Sequence, residues 1–139
     1  MKGNLFMKKV LSFFIAGILF LSCCIGIQAA LPESIEPLWD NIMDMRNTIT
    51  FDGTEGTARG TLWGEDGTTE MSGSLKVYKE TDRGWVFVAS DSDSVTGDSM
   101  TLSVEFTGVS GGYYKSVFSV TVTRNGIEET ETKTTYATC

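Results

Sequence analysis

Three aspartates in a short serine-rich segment are the residues of this chain best suited to hold a metal ion. Asp91, Asp93 and Asp98 fall within eight residues of one another, and Ca²⁺ takes about six to eight oxygen ligands from carboxylates and loop carbonyls. The spacing departs from an EF-hand because Val95 occupies a ligand position, and Asp and Ser also favour ordinary turns. The segment is therefore a candidate calcium site, with a plain inter-strand loop as the alternative.

Aromatic side chains offer a second candidate site, a platform on which sugar rings would stack as in sandwich-type carbohydrate-binding modules. The rings in question are Trp63, Trp85, Tyr113 and Tyr114. Large planar side chains with a polar edge suit such a role, and strand alternation makes Tyr113 the ring expected to be exposed. The alternative, which we favour, places three of the four rings in the core.

The chain contains no histidine, which removes Ser-His-Asp and Cys-His nucleophilic centres and histidine-ligated zinc. A hydrolase with two carboxylates stays open, because glycoside hydrolysis needs a pair of acids about 5–9 Å apart. Eighteen acids make some such pair inevitable by chance, and a small domain leaves little room for a deep cleft. We therefore expect no enzymatic activity and no cofactor.

Cysteine usage points to a single thiol in the folded domain. Cys23 and Cys24 lie in the first thirty residues, so Cys139 is left without an internal partner. An unpaired cysteine in an oxidising compartment suits an intermolecular disulfide, and a dimer linked through Cys139 is one expectation. The alternative is a solvated, frayed terminus without a role.

From residue 49 onward the apolar residues recur with the period of two that a half-buried strand requires. Alternation is clearest over residues 100–106 and 114–122, and further strands are expected near residues 57–64, 75–77, 85–89 and 127–137. The last of these is rich in threonine and glutamate, which predicts a protected edge strand.

Turn residues separate these strands. Asn125-Gly126 predicts a type I′ hairpin, Asp82-Arg83-Gly84 predicts another, and Glu65-Asp66-Gly67 is a third candidate. Six or seven short strands joined by local turns predict an all-β fold, an antiparallel β-sandwich with Ig-like topology.

A short helix is predicted ahead of the strands. Apolar residues at positions 35, 38, 39, 42 and 43 have helical spacing, and Pro37 suits the first helical position. These features predict a helix over residues 37–46 within an N-terminal arm, residues 31–50, before a sandwich domain at residues 51–139. The alternative, which we favour for the apolar residues, is that they cover a sheet edge.

The first thirty residues predict export from a bacterial cell. Lys8 and Lys9 precede an apolar run over residues 10–21, and small residues follow up to Ala30. This is the pattern of a secretory signal peptide, too short for a membrane span. Cleavage after Ala30 would leave 109 residues, enough for one domain. The alternative is a surface lipoprotein anchored at Cys23 or Cys24.

Charge limits the partners of the exported domain. Residues 31–139 contain eight basic and eighteen acidic side chains, a net charge of −10. Such a surface is repelled by phosphate backbones and anionic bilayers. Nucleic-acid binding is thereby excluded, and a membrane partner is expected only if the protein is lipidated.

Gly112-Tyr113-Tyr114-Lys115-Ser116 resembles the Gly-x-Tyr-x-Cys signature of immunoglobulin-like domains. Tyr114 takes the place of the tyrosine whose hydroxyl ties back to the backbone at a sheet corner, and Ser116 takes the place of the cysteine. The resemblance implies a sandwich that lacks the inter-sheet disulfide.

A wider resemblance covers residues 57–136. The chain is similar to an uncharacterised family of small secreted bacterial proteins, a domain of unknown function, through four short motifs. They are Arg59-Gly60-Thr61, Gly84-Trp85, Gly112-Tyr113-Tyr114 and Gly126-Ile127-Glu128-Glu129. The family implies the fold and supplies no activity.

These observations predict a non-enzymatic extracellular binding module whose partner, a glycan or a protein, stays open. One alternative is a small secreted effector, such as a bacteriocin-like toxin or an inhibitor, although membrane-active toxins are usually cationic. The other is the carboxylate-based hydrolase.

Overall fold

Seven β-strands make up most of the part of the chain that the computed structural model describes, residues 39–139. The strands are β1 (Ile42–Asp52), β2 (Glu55–Gly64), β3 (Thr68–Thr81), β4 (Gly84–Thr96), β5 (Ser99–Thr107), β6 (Tyr113–Arg124) and β7 (Ile127–Thr138). Within these residues there is no helix, and so none that could cross a membrane. The predicted signal peptide and lipid anchor lie outside the described residues.

The strands form two antiparallel sheets, with orders β1-β2-β5 and β4-β3-β6-β7. Three hairpins, β1-β2, β3-β4 and β6-β7, lie within a sheet, and the remaining connections pass from one sheet to the other. This is the order of a constant-type immunoglobulin sandwich, except that β4 joins the sheet of β3. The predicted all-β, Ig-like sandwich is confirmed.

Two of the three predicted hairpin turns are confirmed. Asn125 and Gly126 have φ angles of 53° and 77°, as a type I′ turn requires. Residues 82–84 close the β3-β4 hairpin, with Gly84 at φ 104°. The prediction of a hairpin at residues 65–67 is wrong, because this turn connects β2 in one sheet to β3 in the other.

The predicted helix over residues 37–46 is wrong where the structure describes it. Residues 42–46 belong to strand β1, and residues 35–38 lie outside the described part. A register shift between Ile42 and Asp44 leaves Met43 as an extra residue, a β-bulge. Because of the bulge, Ile42 and Met45 face inward while Met43 is exposed, so residues 42 and 43 do not share the one face that the helical spacing required. Residues 42–50 therefore belong to the sandwich, rather than to an arm that precedes it.

The core lies between the sheets and is lined by alternate residues of the strands. Leu62, Leu75 and Phe118 are fully buried there. The Phe118 ring lies so close to β2 that a Cβ added at Gly60 would come within 2.7 Å of it. Glycine at position 60 thus allows the Phe118 ring of β6 to approach the opposite sheet.

A buried amide joins the two sheets on the side where β1 lies over β6 and β7. Asn47 of β1 donates from Nδ2 to the carbonyl oxygens of Ser116 and Lys133, both at 2.8 Å. Its Oδ1 accepts a hydrogen bond from Ser116 Oγ at 2.9 Å. Each polar atom of the amide has a partner, as a buried polar group requires.

The edges of the sandwich are also bridged by side chains. Between β1 and β7, Lys133 Nζ donates to the Met45 carbonyl at 2.7 Å, and the Glu129 carboxylate accepts from the Asn41 backbone N–H at 2.6 Å. Between β4 and β5, the Asp91 carboxylate accepts from the Ser103 backbone N–H at 3.2 Å. Inward-pointing charges of this kind shield edge strands from pairing with other chains, and β7 is confirmed as an edge strand.

Tyr114 forms the sheet corner that its resemblance to immunoglobulin-like domains implied. The ring is buried, and its hydroxyl accepts a hydrogen bond from the Val109 backbone N–H at 2.8 Å. Ser116, in the place of the cysteine, is fully buried and bonded to Asn47.

We predict that Asn47→Ala lowers the free energy of unfolding by about 2–4 kcal/mol, because it leaves two buried carbonyls and a hydroxyl without a partner. Urea unfolding followed by tryptophan fluorescence measures the change. Thr48→Ala is the matched control, since Thr48 is the exposed neighbour on the same strand. Equal stability of the two variants would contradict the role assigned to Asn47.

Tyr114→Phe should cost about 1–3 kcal/mol, because the part-buried Val109 N–H loses its acceptor while the ring stays in place. Tyr113→Phe provides the control on the adjacent residue, whose hydroxyl has no hydrogen-bond partner within residues 39–139. The same unfolding titration compares the two. A loss of the same size in both variants would rule out the corner as the cause.

Candidate functional site

The structure does not bring the three predicted calcium ligands together. Asp91 and Asp93 lie within strand β4 and Asp98 in the turn that follows it, so the expected loop is wrong. The Asp91 and Asp93 carboxylates accept hydrogen bonds from the backbone N–H of the next residue, at 2.9 and 2.8 Å. In residues 39–139 no group of three acidic, histidine or cysteine side chains is placed to hold a metal ion.

We predict that calcium in excess and EDTA in excess give the same Tm, because these carboxylates already serve backbone donors. A ligand that binds the folded state alone would raise Tm with its concentration. Differential scanning fluorimetry makes the comparison. A rise in Tm with calcium that Asp91→Asn abolishes would restore the calcium hypothesis.

Cys139 is half-buried and held in place, so the expectation of a solvated, frayed end is wrong. Its backbone N–H donates to the Gly112 carbonyl and its own carbonyl accepts from the Gly111 N–H, both at 2.9 Å. The thiol packs beside the core, 3.5 Å from the Gly53 carbonyl oxygen. The cysteine is free, and the intermolecular disulfide stays a prediction.

Two glutamates line a depression at the end of the β2-β5 ladder. Glu55 and Glu105 border an open space of about 320 Å³ together with Thr57 and Phe106. Within the described residues, this is the depression that we compare with the hypothesis of a hydrolase with two carboxylates. Neither carboxylate accepts a hydrogen bond from a side chain of residues 39–139 that would orient it toward a substrate.

The four predicted aromatic residues lie in three different places: the core and the outer faces of the two sheets. Tyr114 is in the core, and Trp63 is half-buried on the outer face of the three-stranded sheet, with the Arg46 guanidinium 5.3 Å from its ring centroid. Trp85 and Tyr113 share the outer face of the four-stranded sheet. The prediction that the four rings form one platform is wrong, and so is the prediction that three of them lie in the core. The exposure of Tyr113, 40%, is confirmed.

A third ring completes a cluster with Trp85 and Tyr113. The Tyr136 ring on β7 stacks on Tyr113 with centroids 5.8 Å apart and a 10° interplanar angle, and lies 6.0 Å from Trp85. Trp85 is also 6.0 Å from Tyr113. We call these three rings the aromatic patch. The hairpin turn at Asn125-Gly126 fixes the β6-β7 register and so places Tyr136 beside Lys115, a signal from which the sequence could have identified it.

Lys115 lies in the middle of the rings. Its Nζ is 4.4 Å from the Trp85 ring centroid and 5.3 Å from that of Tyr78. Tyr78 in turn meets Phe87, which is 55% exposed, at 6.1 Å. A cation over aromatic faces is attracted by their electron density, most strongly where water is partly excluded.

Hydroxyl groups cover the same face further from the patch, beyond the cross-strand row of Lys76, Val117 and Thr134. Cross-strand neighbours on β3, β6 and β7 align there in two rows, which we call the hydroxyl rows: Ser74, Ser119 and Thr132, then Ser72, Thr121 and Thr130. The β6-β7 hydroxyls pair at 2.9 Å in each row, and most of these residues border a shallow depression of about 270 Å³. Six residues of strand separate Tyr78 from Ser72, so the face extends over about 20 Å.

No family model matches the chain, and no curated protein matches it. Among solved structures, the chain is similar to CsgH from R. palustris, at 15% identity and a TM-score of 0.43, over 64% of this chain and 88% of that one. It is similar to the sporulation control protein Spo0M from Bacillus subtilis, at 12% identity and a TM-score of 0.42, over 73% of this chain and 51% of that one. Likenesses this distant concern the arrangement of strands and assign no function.

Proposed function

We propose that this protein is a non-enzymatic extracellular module that binds glycans on the outer face of its four-stranded sheet. The observation that carries the proposal is the aromatic patch of Trp85, Tyr113 and Tyr136 on the same face as the hydroxyl rows. Extracellular location follows from the predicted signal peptide and is part of the proposal.

The chemistry of the face matches the two surfaces of a sugar ring. A pyranose has an apolar C–H face and a rim of hydroxyls, and an aromatic side chain offers an apolar plane with a polar edge. Serine and threonine hydroxyls can both donate and accept, so they can exchange hydrogen bonds with a sugar in several orientations. The patch would hold one sugar unit and the hydroxyl rows the units that follow.

The hydroxyl rows, unlike the aromatic patch, argue against a protein partner. Protein interfaces have apolar centres, and serine and threonine are under-represented among the residues that carry their affinity. The hydroxyl rows contain no apolar side chain, and the apolar side chains outside the patch, Phe87 and Val117, lie toward the aromatic end of this face. A flat polar surface of this kind suits an extended polysaccharide better than a protein surface.

The scaffold holds the rings in place before a ligand arrives. Tyr113 and Tyr136 lie on neighbouring strands whose pairing is continuous, and Trp85 packs against both. Tyrosine has few rotatable bonds, so ordering it on binding costs little entropy. Sites built on strands are also more precisely positioned than sites on loops.

We predict that Tyr136→Ala weakens glycan binding at least about tenfold, since loss of a central aromatic anchor costs about 2 kcal/mol or more. Trp85→Ala should act in the same direction. A glycan microarray identifies the sugars that the wild-type protein retains, and a biosensor with the retained sugar immobilised measures the affinities.

Trp63→Ala is the matched control, because Trp63 also lies under a cation but on the opposite sheet. It should bind as the wild type does. Retention of no glycan by the wild-type protein, or equal binding by Tyr136→Ala and Trp63→Ala, would contradict the proposal. Binding to cell-surface material that survives glycosidase and is lost after protease would identify a protein partner instead.

A further inference from the structure

We propose that the glycan is anionic and that the Lys115 ammonium binds its carboxylate or sulfate group. The inference rests on the proposed function, because it names the class of glycan that the aromatic patch would select. It comes from the position of Lys115, from the state of its hydrogen-bond donors and from the charges on the surrounding face.

Lys115 occupies the centre of the candidate site. In the β3-β6-β7 ladder its cross-strand neighbours are Tyr78 on one side and Tyr136 on the other. Its Nζ lies 4.4 Å from the Trp85 ring centroid, beside the stacked ring of Tyr136. A sugar placed on the patch would therefore have its ring substituents next to the ammonium group.

The donors of Lys115 have no acceptor within residues 39–139. An ammonium carries three N–H donors, and none of them is within hydrogen-bond distance of a protein oxygen in this part of the chain. The only ion pair in residues 39–139 joins Arg46 to Asp44. By contrast, Lys133 Nζ donates to the Met45 carbonyl and Arg124 to the Asp66 carbonyl.

A half-buried ammonium with free donors is a site for an anion. Aromatic neighbours attract the positive charge but provide no hydrogen-bond acceptor, so the three donors depend on water or on a ligand. An anionic acceptor makes shorter and stronger hydrogen bonds with them than a neutral hydroxyl does. A carboxylated or sulfated sugar would thus gain over its neutral counterpart at this position. The gain is local to Lys115 and works against the net charge of −10 on residues 31–139.

The charges along the face favour one orientation of an acidic ligand. At the aromatic end the outward-facing cations are Lys76 and Lys115, whereas Glu70 and Glu128 occupy the opposite end of the same ladder. One acid, Glu80, also lies at the aromatic end, where it is the cross-strand neighbour of Trp85, and it forms no ion pair with Lys115. Complementary potentials of this kind determine register and specificity.

The experiment uses the complete mature protein and matched pairs of glycans. The pairs are polygalacturonate with its methyl ester, hyaluronan with its carboxyl-reduced form, sialyllactose with lactose, and a sulfated galactan with its desulfated form. Each is immobilised, and affinities are measured at low and high salt for the wild type and for Lys115→Gln, Lys115→Arg and Arg46→Gln.

We expect the wild type to bind the anionic member of at least one pair about tenfold or more tightly than the neutral member, and to lose most of that preference in high salt. Lys115→Gln should remove the preference, so that the two members of the pair bind with equal affinity. Lys115→Arg should retain it because the charge is kept, and Arg46→Gln, which removes the cation above Trp63, should behave as the wild type. The pair that shows the preference distinguishes a carboxylate from a sulfate.

Equal affinity for both members of every pair, or a preference that survives in Lys115→Gln, would overturn the inference and leave the proposed glycan binding intact. Retention of neither member by the wild type, with no glycan retained on the array, would overturn the proposed function itself. A uniform loss of binding to both members in Lys115→Gln would mean that Lys115 only orders the rings, which also overturns the inference.

Discussion

The buried amide of Asn47 joins the two sheets, and the rest of the sandwich depends on its hydrogen bonds being satisfied. Its partners belong to β6 and β7, so one side chain fixes how strand β1 lies over the opposite sheet. In immunoglobulin domains a disulfide crosses the core near this point. Here Ser116 stands in the place of the cysteine and bonds to Asn47. A hydrogen-bonded link needs no oxidant to form, but unlike a disulfide it does not restrict the unfolded chain, so its contribution comes entirely from the folded state.

Charged side chains cover the edges of the two sheets, and this limits the surfaces on which a partner can bind. Lys133 and Glu129 point inward from β7 to the backbone near β1, and Asp91 does the same from β4 to β5. These contacts use charged side chains to bridge the gaps between sheets, which makes strand addition by a partner chain unfavourable. What remains are the two outer faces. On β7 the alternation that turns Lys133 inward turns Tyr136 outward, so edge closure and the aromatic patch have a common origin in the register of the last hairpin.

The sequence predicts features of this fold whose causes are local. Strand alternation and the turn at Asn125-Gly126 depend on near neighbours, and both are confirmed. The apolar residues up to Met43 have helical spacing although Met43 is the exposed residue of a β-bulge, and periodicity over so short a run cannot distinguish a strand from a helix. The Asn47–Ser116 bond joins residues 69 positions apart, and no pattern near Asn47 identifies Ser116 as its partner. Of the candidate site, Trp85 and Tyr113 were predicted, whereas Tyr136 required the register of the β6-β7 pair.

Each outer face has a cationic side chain over a tryptophan ring, but only one of the two cations has an acidic partner within residues 39–139. On the three-stranded sheet, Arg46 lies over Trp63 but its guanidinium is already paired with Asp44 at 2.8 Å. On the four-stranded sheet, Lys115 lies over Trp85 without an acidic partner in residues 39–139. The first cation completes a surface ion pair, which contributes little to stability when exposed. The second remains available, because its neighbours attract its charge without accepting its hydrogen bonds. The two faces therefore differ in the available cation as well as in the number of clustered rings, and both differences support the binding proposed for the four-stranded sheet.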